Sequence, residues 1–160
     1  LIIARAMMND PRLLILDEPT TGLDPQARHL IWEKVRELKR KKVTVILTTH
    51  YMDEAERLCD RLVIMDHGKI ILEGRPRELI EQVIGTDVME IDVPTDAMES
   101  YVKERGWKYE RTIDRLLVYT KEGQRVAAEL KEHFSMSYYL IRNATLEDVF
   151  LRTTGRALVE

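Results

Sequence analysis

The chain has 160 residues, 44% hydrophobic and 33% charged, with a formal net charge of −3 and a single cysteine, Cys59. That length suits one or two small domains with a buried core. The charge excludes a bulk electrostatic pull toward nucleic acid or anionic lipid; the lone cysteine excludes an intramolecular disulfide framework and fits a reducing cytoplasm. The longest apolar runs, such as Leu13 to Leu16, fall far short of the roughly 18 residues a spanning helix needs, so a membrane role would run through a partner. The chain opens at Leu1 rather than Met and without a signal-peptide pattern, which points to a fragment or a processed chain.

In chain order, residues 1 to 8 read as the end of a helix stopped by Asn9-Asp10-Pro11. Leu13 to Leu16 is a continuous apolar run ending at Asp17, the pattern of a parallel strand buried on both faces. A turn-rich stretch, Pro19 to Pro25, leads into an amphipathic helix over 26–41, with Ala27, Leu30, Ile31, Val35 and Leu38 on its inner side. Its terminal basic run, Arg36 to Lys42, reads as a solvated helix end. Val43 to Leu47 is a second buried strand, ending at Thr48-Thr49-His50. A helix over 53–60, a strand over 62–65 and a hairpin through His67-Gly68 follow. Alternating strand and helix predicts an α/β parallel sheet over 1–85. Beyond Gly85 the order becomes strand 87–93, helix 96–105, strands 107–112 and 115–120, helix 123–134 and strand 137–142. That β-α-β-β-α-β order predicts a small ferredoxin-like α+β domain over 86–160, closed by a helix whose Thr145 and Asp148 have capping-box spacing.

Chemistry concentrates in Leu13 to Pro25, LLILDEPTTGLDP. A buried strand presents Asp17 and Glu18 at its carboxyl edge, where open parallel sheets bind ligands. One carboxylate there can hold Mg²⁺, directly or through water, and its neighbour can orient or deprotonate an attacking water. The plain alternative is a strand ending in a turn with Asp17 as a cap. His50, just past the second strand, belongs on the same edge and can donate to a phosphate oxygen or a water; alone it would read as a surface histidine. His29, His67 and His133 have no such setting, and Gln26 and Tyr51 adjoin the motifs without an assigned role.

LLILDEPTTGLDP is similar to the Walker B strand and D-loop of ABC-type ATPases, LIIARAMMNDPRLL resembles the helix leading into that strand, and VTVILTTHYMDEAERLCDRLVIMDHGKI resembles the switch region that follows. The resemblance runs from Leu1 to about Glu78, and TLEDVFLRTTGR resembles the tail of ATPase subunits of ABC-2-type exporters. It implies part of a P-loop ATPase sheet, ATP and Mg²⁺ as ligands, Asp17 supporting Mg²⁺, Glu18 as catalytic carboxylate, Asp24 in the D-loop across a dimer interface and His50 at the γ-phosphate. It also implies a second ATPase subunit, identical or different, transmembrane permease subunits, no nucleic acid, and a place at the cytoplasmic face of the membrane.

The 160 residues contain no glycine-rich turn followed by Lys and Ser or Thr; Gly68-Lys69 runs into Ile70. The family's glycine-rich signature ahead of LIIARA is missing too. The chain alone is therefore expected not to hydrolyse ATP, and its strands Leu13–Leu16 and Val43–Leu47 to expose apolar faces that favour association. Two other readings stay open: a soluble ABC-type ATPase acting on ribosomes or DNA, and a non-catalytic dimerisation module. Against the first, Thr21-Gly22 stands where ribosome-acting relatives usually carry Asn-His, and no heptad run suggests the coiled coils of DNA-repair relatives. The ferredoxin-like segment 86–142 is itself either a structural appendage or a regulatory or dimer-stabilising module.

Overall fold

The computed structural model describes residues 10–136 and 138–155; the helix read over 1–8 lies outside them. Contacts group the chain into two compact units, Leu1–Asp60 and Arg61–Glu160. The sequence reading divides it near Gly85 instead, and the two divisions differ on the hairpin and helix spanning 61–85.

In the first unit, β1 (Leu13–Asp17), α1 (Pro25–Arg40) and β2 (Thr44–Thr48) form a β-α-β crossover, with the strands parallel and paired from Leu13↔Thr44 to Asp17↔Thr48. Asp24 caps α1, its carboxylate accepting from the Ala27 N–H at 2.9 Å, and Pro25 occupies the first helical position. Leu14 and Leu16 pack on Trp32, Val35 and Leu38 of α1 and on Leu58 of α2 (Met52–Leu58). Both strands are covered on one side, where α1 lies, while Leu13, Ile15 and Ile46 are half or more exposed on the other, the exposed apolar face expected of these strands in this chain.

In the second unit, β3 (Leu62–Asp66) and β4 (Lys69–Gly74) form a hairpin, followed by α3 (Pro76–Val83). Then come β5 (Asp87–Asp92), α4 (Asp96–Glu104), β6 (Lys108–Arg111), β7 (Arg115–Thr120), α5 (Gly123–His133), β8 (Tyr139–Asn143) and α6 (Leu146–Thr154). The sheet order β6-β7-β5-β8, antiparallel throughout, is the ferredoxin-like arrangement. Its core joins Met89, Ile91, Leu116 and Val118 of the sheet to Met98, Val102, Val126 and Leu130 of α4 and α5, all buried. The capping box at α6 forms as its spacing predicts.

Gly85 turns α3 into β5 at φ +123°, where a Cβ would stand 2.5 Å from the Thr120 carbonyl oxygen, a backbone atom that cannot swing aside. Gly85→Ala is therefore expected to destabilise this unit by roughly 1–3 kcal/mol, read as a lower urea midpoint at unchanged slope.

Candidate functional site

Because β1 and β2 run parallel in register, their carboxyl ends finish at one edge, with Asp17 opposite Thr48. The Thr48 hydroxyl donates to Asp17 Oδ1. The Glu18 N–H donates to the Thr48 carbonyl at 3.1 Å and lies 3.3 Å from its hydroxyl. Glu18 itself sits at φ +48°, a left-handed conformation uncommon outside glycine, where the strand breaks into the turn. Its Oε2 accepts from the Thr21 hydroxyl at 2.9 Å and lies 2.7 Å from His50 Nδ1. Among the described residues both side-chain bonds of Glu18 fall on Oε2, so Oε1 stays available to a water.

A hydrogen bond between His50 Nδ1 and a carboxylate oxygen requires the proton on Nδ1. A neutral ring so arranged offers a lone pair at Nε2; the imidazolium offers a second N–H there. Glu18 is partly exposed and His50 more so, as a site that meets a ligand from solvent should be. The Tyr51 ring centroid is 4.2 Å from that of His50, and the Arg28 guanidinium lies 4.5 Å from the Tyr51 ring centroid. Asp17, Glu18 and His50 thus come together. Asp24 does not join them; its carboxylate is committed to the first turn of α1.

Several contributors escaped the sequence reading. Thr48 follows from the parallel register, which pairs it with Asp17, and Thr21 from its three-residue spacing to Glu18. Arg28 and Tyr51 lie far apart in the chain, and no local pattern links them. Beneath the edge, the Trp32 indole N–H donates to Glu54 Oε1 at 2.9 Å, fully buried, tying α2 to α1. Burial pushes the Cys59 thiol up, away from the thiolate a nucleophile needs.

Asp17 is a single exposed carboxylate, and no group of three His, Cys, Asp or Glu side chains that could hold a metal occurs among the described residues. That donor set fits an ion such as Mg²⁺ held mainly by phosphate and water, and not one caged by protein.

The chain is 48% identical over 159 residues to the Nod factor export ATP-binding protein I of Rhizobium etli, covering 99% of this chain and 50% of that protein. It is 50% identical over 159 residues to the protein of the same name from Neorhizobium galegae, covering 99% of this chain and 46% of that one. Residues 95–155 match the model of the nodulation factor export protein NodI C-terminal domain, and residues 1–52 that of an AAA domain. Over nearly its whole length the chain is thus similar to ATP-binding proteins of Nod factor export. It spans about half the length of the curated relatives it matches. A solved structure from Clostridium perfringens, cbiO1 of the ABC transporter complex cbiONQ, aligns with TM-score 0.45 and 38% identity over 48% of this chain and 31% of that one. No described helix is long and apolar enough to cross a membrane.

Proposed function

We propose that this chain is part of an ATP-binding subunit that hydrolyses ATP to power an ABC exporter. The observation that carries the reading is the Glu18 Oε2–His50 Nδ1 contact of 2.7 Å beside Asp17, at the carboxyl edge of a parallel strand pair in a chain similar to export ATP-binding proteins. Glu18 orients or deprotonates the attacking water through Oε1 while Thr21 and His50 hold its other oxygen. His50 contributes hydrogen bonding at the γ-phosphate. Asp17 would hold Mg²⁺, directly or through water; the ion, when bound, neutralises phosphate charge. Asp24, capping α1 just after the turn, faces a second ATPase subunit across the nucleotide. Transmembrane permease subunits complete the assembly, placing it at the cytoplasmic face of the membrane.

The names of the relatives, which speak of export, support this reading over an ATPase acting on ribosomes or DNA. Residues 86–160 form the accessory domain on this view, and 1–85 the nucleotide-facing part. The 160 residues lack a Gly-rich turn followed by Lys and Ser or Thr, so the main phosphate cradle must come from elsewhere in the subunit. Phosphate release measured under saturating MgATP tests the proposal. The full-length subunit turns over and the 160-residue chain does not. Turnover by the short chain that Glu18→Gln abolishes would sink this account of the site.

A further inference from the structure

We propose that Tyr51 is a positioning residue for His50: its ring fixes the plane of the imidazole that pairs with Glu18, and the Arg28 guanidinium of α1 fixes the ring. This rests on the proposed hydrolysis at the Glu18–His50 edge.

His50 is exposed, and its one polar anchor among the described residues is the 2.7 Å contact of Nδ1 with Glu18. One hydrogen bond fixes one point of a flat ring and leaves the ring free to rock about it. The Tyr51 ring, 4.2 Å away and tilted by 40°, supplies a second constraint, on the plane itself. Tyr51 is held in turn, because the Arg28 guanidinium lies 4.5 Å from its centroid. Arg28 sits on the first turn of α1, its N–H bonded at 3.0 Å to the carbonyl of the capping Asp24. A chain of contacts therefore runs from the helix start that follows the Asp24 turn to the histidine. Its links are side chains, while the backbone role of Tyr51 is separate. As N-cap of α2 it makes no side-chain cap bond; its carbonyl accepts from the Ala55 N–H at 3.2 Å and its N–H donates to the Thr49 hydroxyl at 3.0 Å. Substitution of the ring leaves both backbone bonds available, so a variant at this partly buried position should fold.

The test uses the full-length subunit. Tyr51→Ala is expected to lower kcat for MgATP roughly ten- to a hundredfold, the loss expected from a misplaced catalytic group, with KM unchanged. Tyr51→Phe, which keeps the ring, restores most of the turnover, and Arg28→Ala falls between the two. A second readout needs no hydrolysis: the ¹⁵N shifts of the His50 ring, assigned by comparison with His50→Gln. Recorded without nucleotide at a pH where the ring is neutral, the Nδ1 and Nε2 shifts are well separated while Glu18 keeps the proton on Nδ1; in Tyr51→Ala the ring leaves that contact more often and the two shifts move together as the tautomers mix. Wild-type kcat in Tyr51→Ala, or an unchanged shift separation, overturns the proposal. So does a Tyr51→Phe variant as impaired as Tyr51→Ala. Should the wild-type subunit hydrolyse nothing, the functional reading fails, and the ring shifts still decide whether Tyr51 positions His50.

Discussion

Glu18→Gln in the full-length subunit lowers ATP turnover about a thousandfold, within the range for loss of a general base, while MgATP binding persists. Glutamine matches the size of the native side chain. Its amide oxygen can still accept from the Thr21 hydroxyl and His50 Nδ1, the two partners of Glu18 Oε2. The left-handed backbone at φ +48° is unchanged in kind. What disappears is the capacity to take a proton from, or strongly orient, a water at Oε1. The loss should therefore fall on kcat and spare KM, since the interaction matters in the transition state and not in binding. Steady-state phosphate release with a parallel binding titration separates the two. A variant that loses affinity and turnover together would place Glu18 in nucleotide binding instead.

Arg142→Ala destabilises the C-terminal unit by roughly 3–5 kcal/mol, the cost of breaking a buried ion pair from one side. Arg142 makes a bidentate pair with Asp148, 2.7 Å to each carboxylate oxygen, and donates through Nε to Glu90 at 2.6 Å. Asp148 is 3% exposed, so the truncation leaves a buried carboxylate without its cation. The same carboxylate accepts from the N–H and hydroxyl of Thr145, which start α6. The lost pair therefore loosens β8 and the last helix together. Urea unfolding of wild type and variant measures the cost; a midpoint shift no larger than that of a surface substitution contradicts it.

Acid should erode the same contribution. Burial alone would raise the Asp148 carboxyl, but hydrogen bonds from Arg142 and Thr145, with the guanidinium charge, outweigh it and hold its pKa below the ordinary value. A folded-state pKa below the unfolded one contributes stability that is fully present above about pH 4, the unfolded value for aspartate. That stability is lost as pH falls through the folded value. Asp148→Asn should flatten this part of the acid limb.

The ferredoxin-like sheet was legible because each strand is short, bounded by a polar or glycine stop, and separated by helices of ordinary period. Even so, the β6–β7 turn is closed by something a residue pair cannot advertise. The Thr112 hydroxyl donates to Asp114 at 3.1 Å and accepts from the Arg115 N–H at 3.1 Å. The capping box at Thr145 and Asp148 could be read directly, since its spacing is its geometry; the Arg142 clamp on the same Asp148 could not, because it depends on how β8 meets α6. At the candidate site, Asp17, Glu18 and His50 stand at the ends of two apolar runs, and parallel pairing of those runs places them on one edge. The exposed apolar face of β1 and β2 was legible too, because two runs with the pattern of strands buried on both faces lack neighbours within these residues. Arg28 and Tyr51 meet only because α1 folds back over the edge, and Trp32 finds Glu54 for the same reason.

The central claim is that these residues serve nucleotide chemistry within a longer ATP-binding subunit. Calorimetric titration of MgATP into the full-length subunit and into the 160-residue chain tests it most directly. Binding by the full-length protein and silence from the short chain is the predicted result. Tight binding by the short chain alone would contradict it, and would mean that the phosphates are held by groups other than a cradle outside these residues.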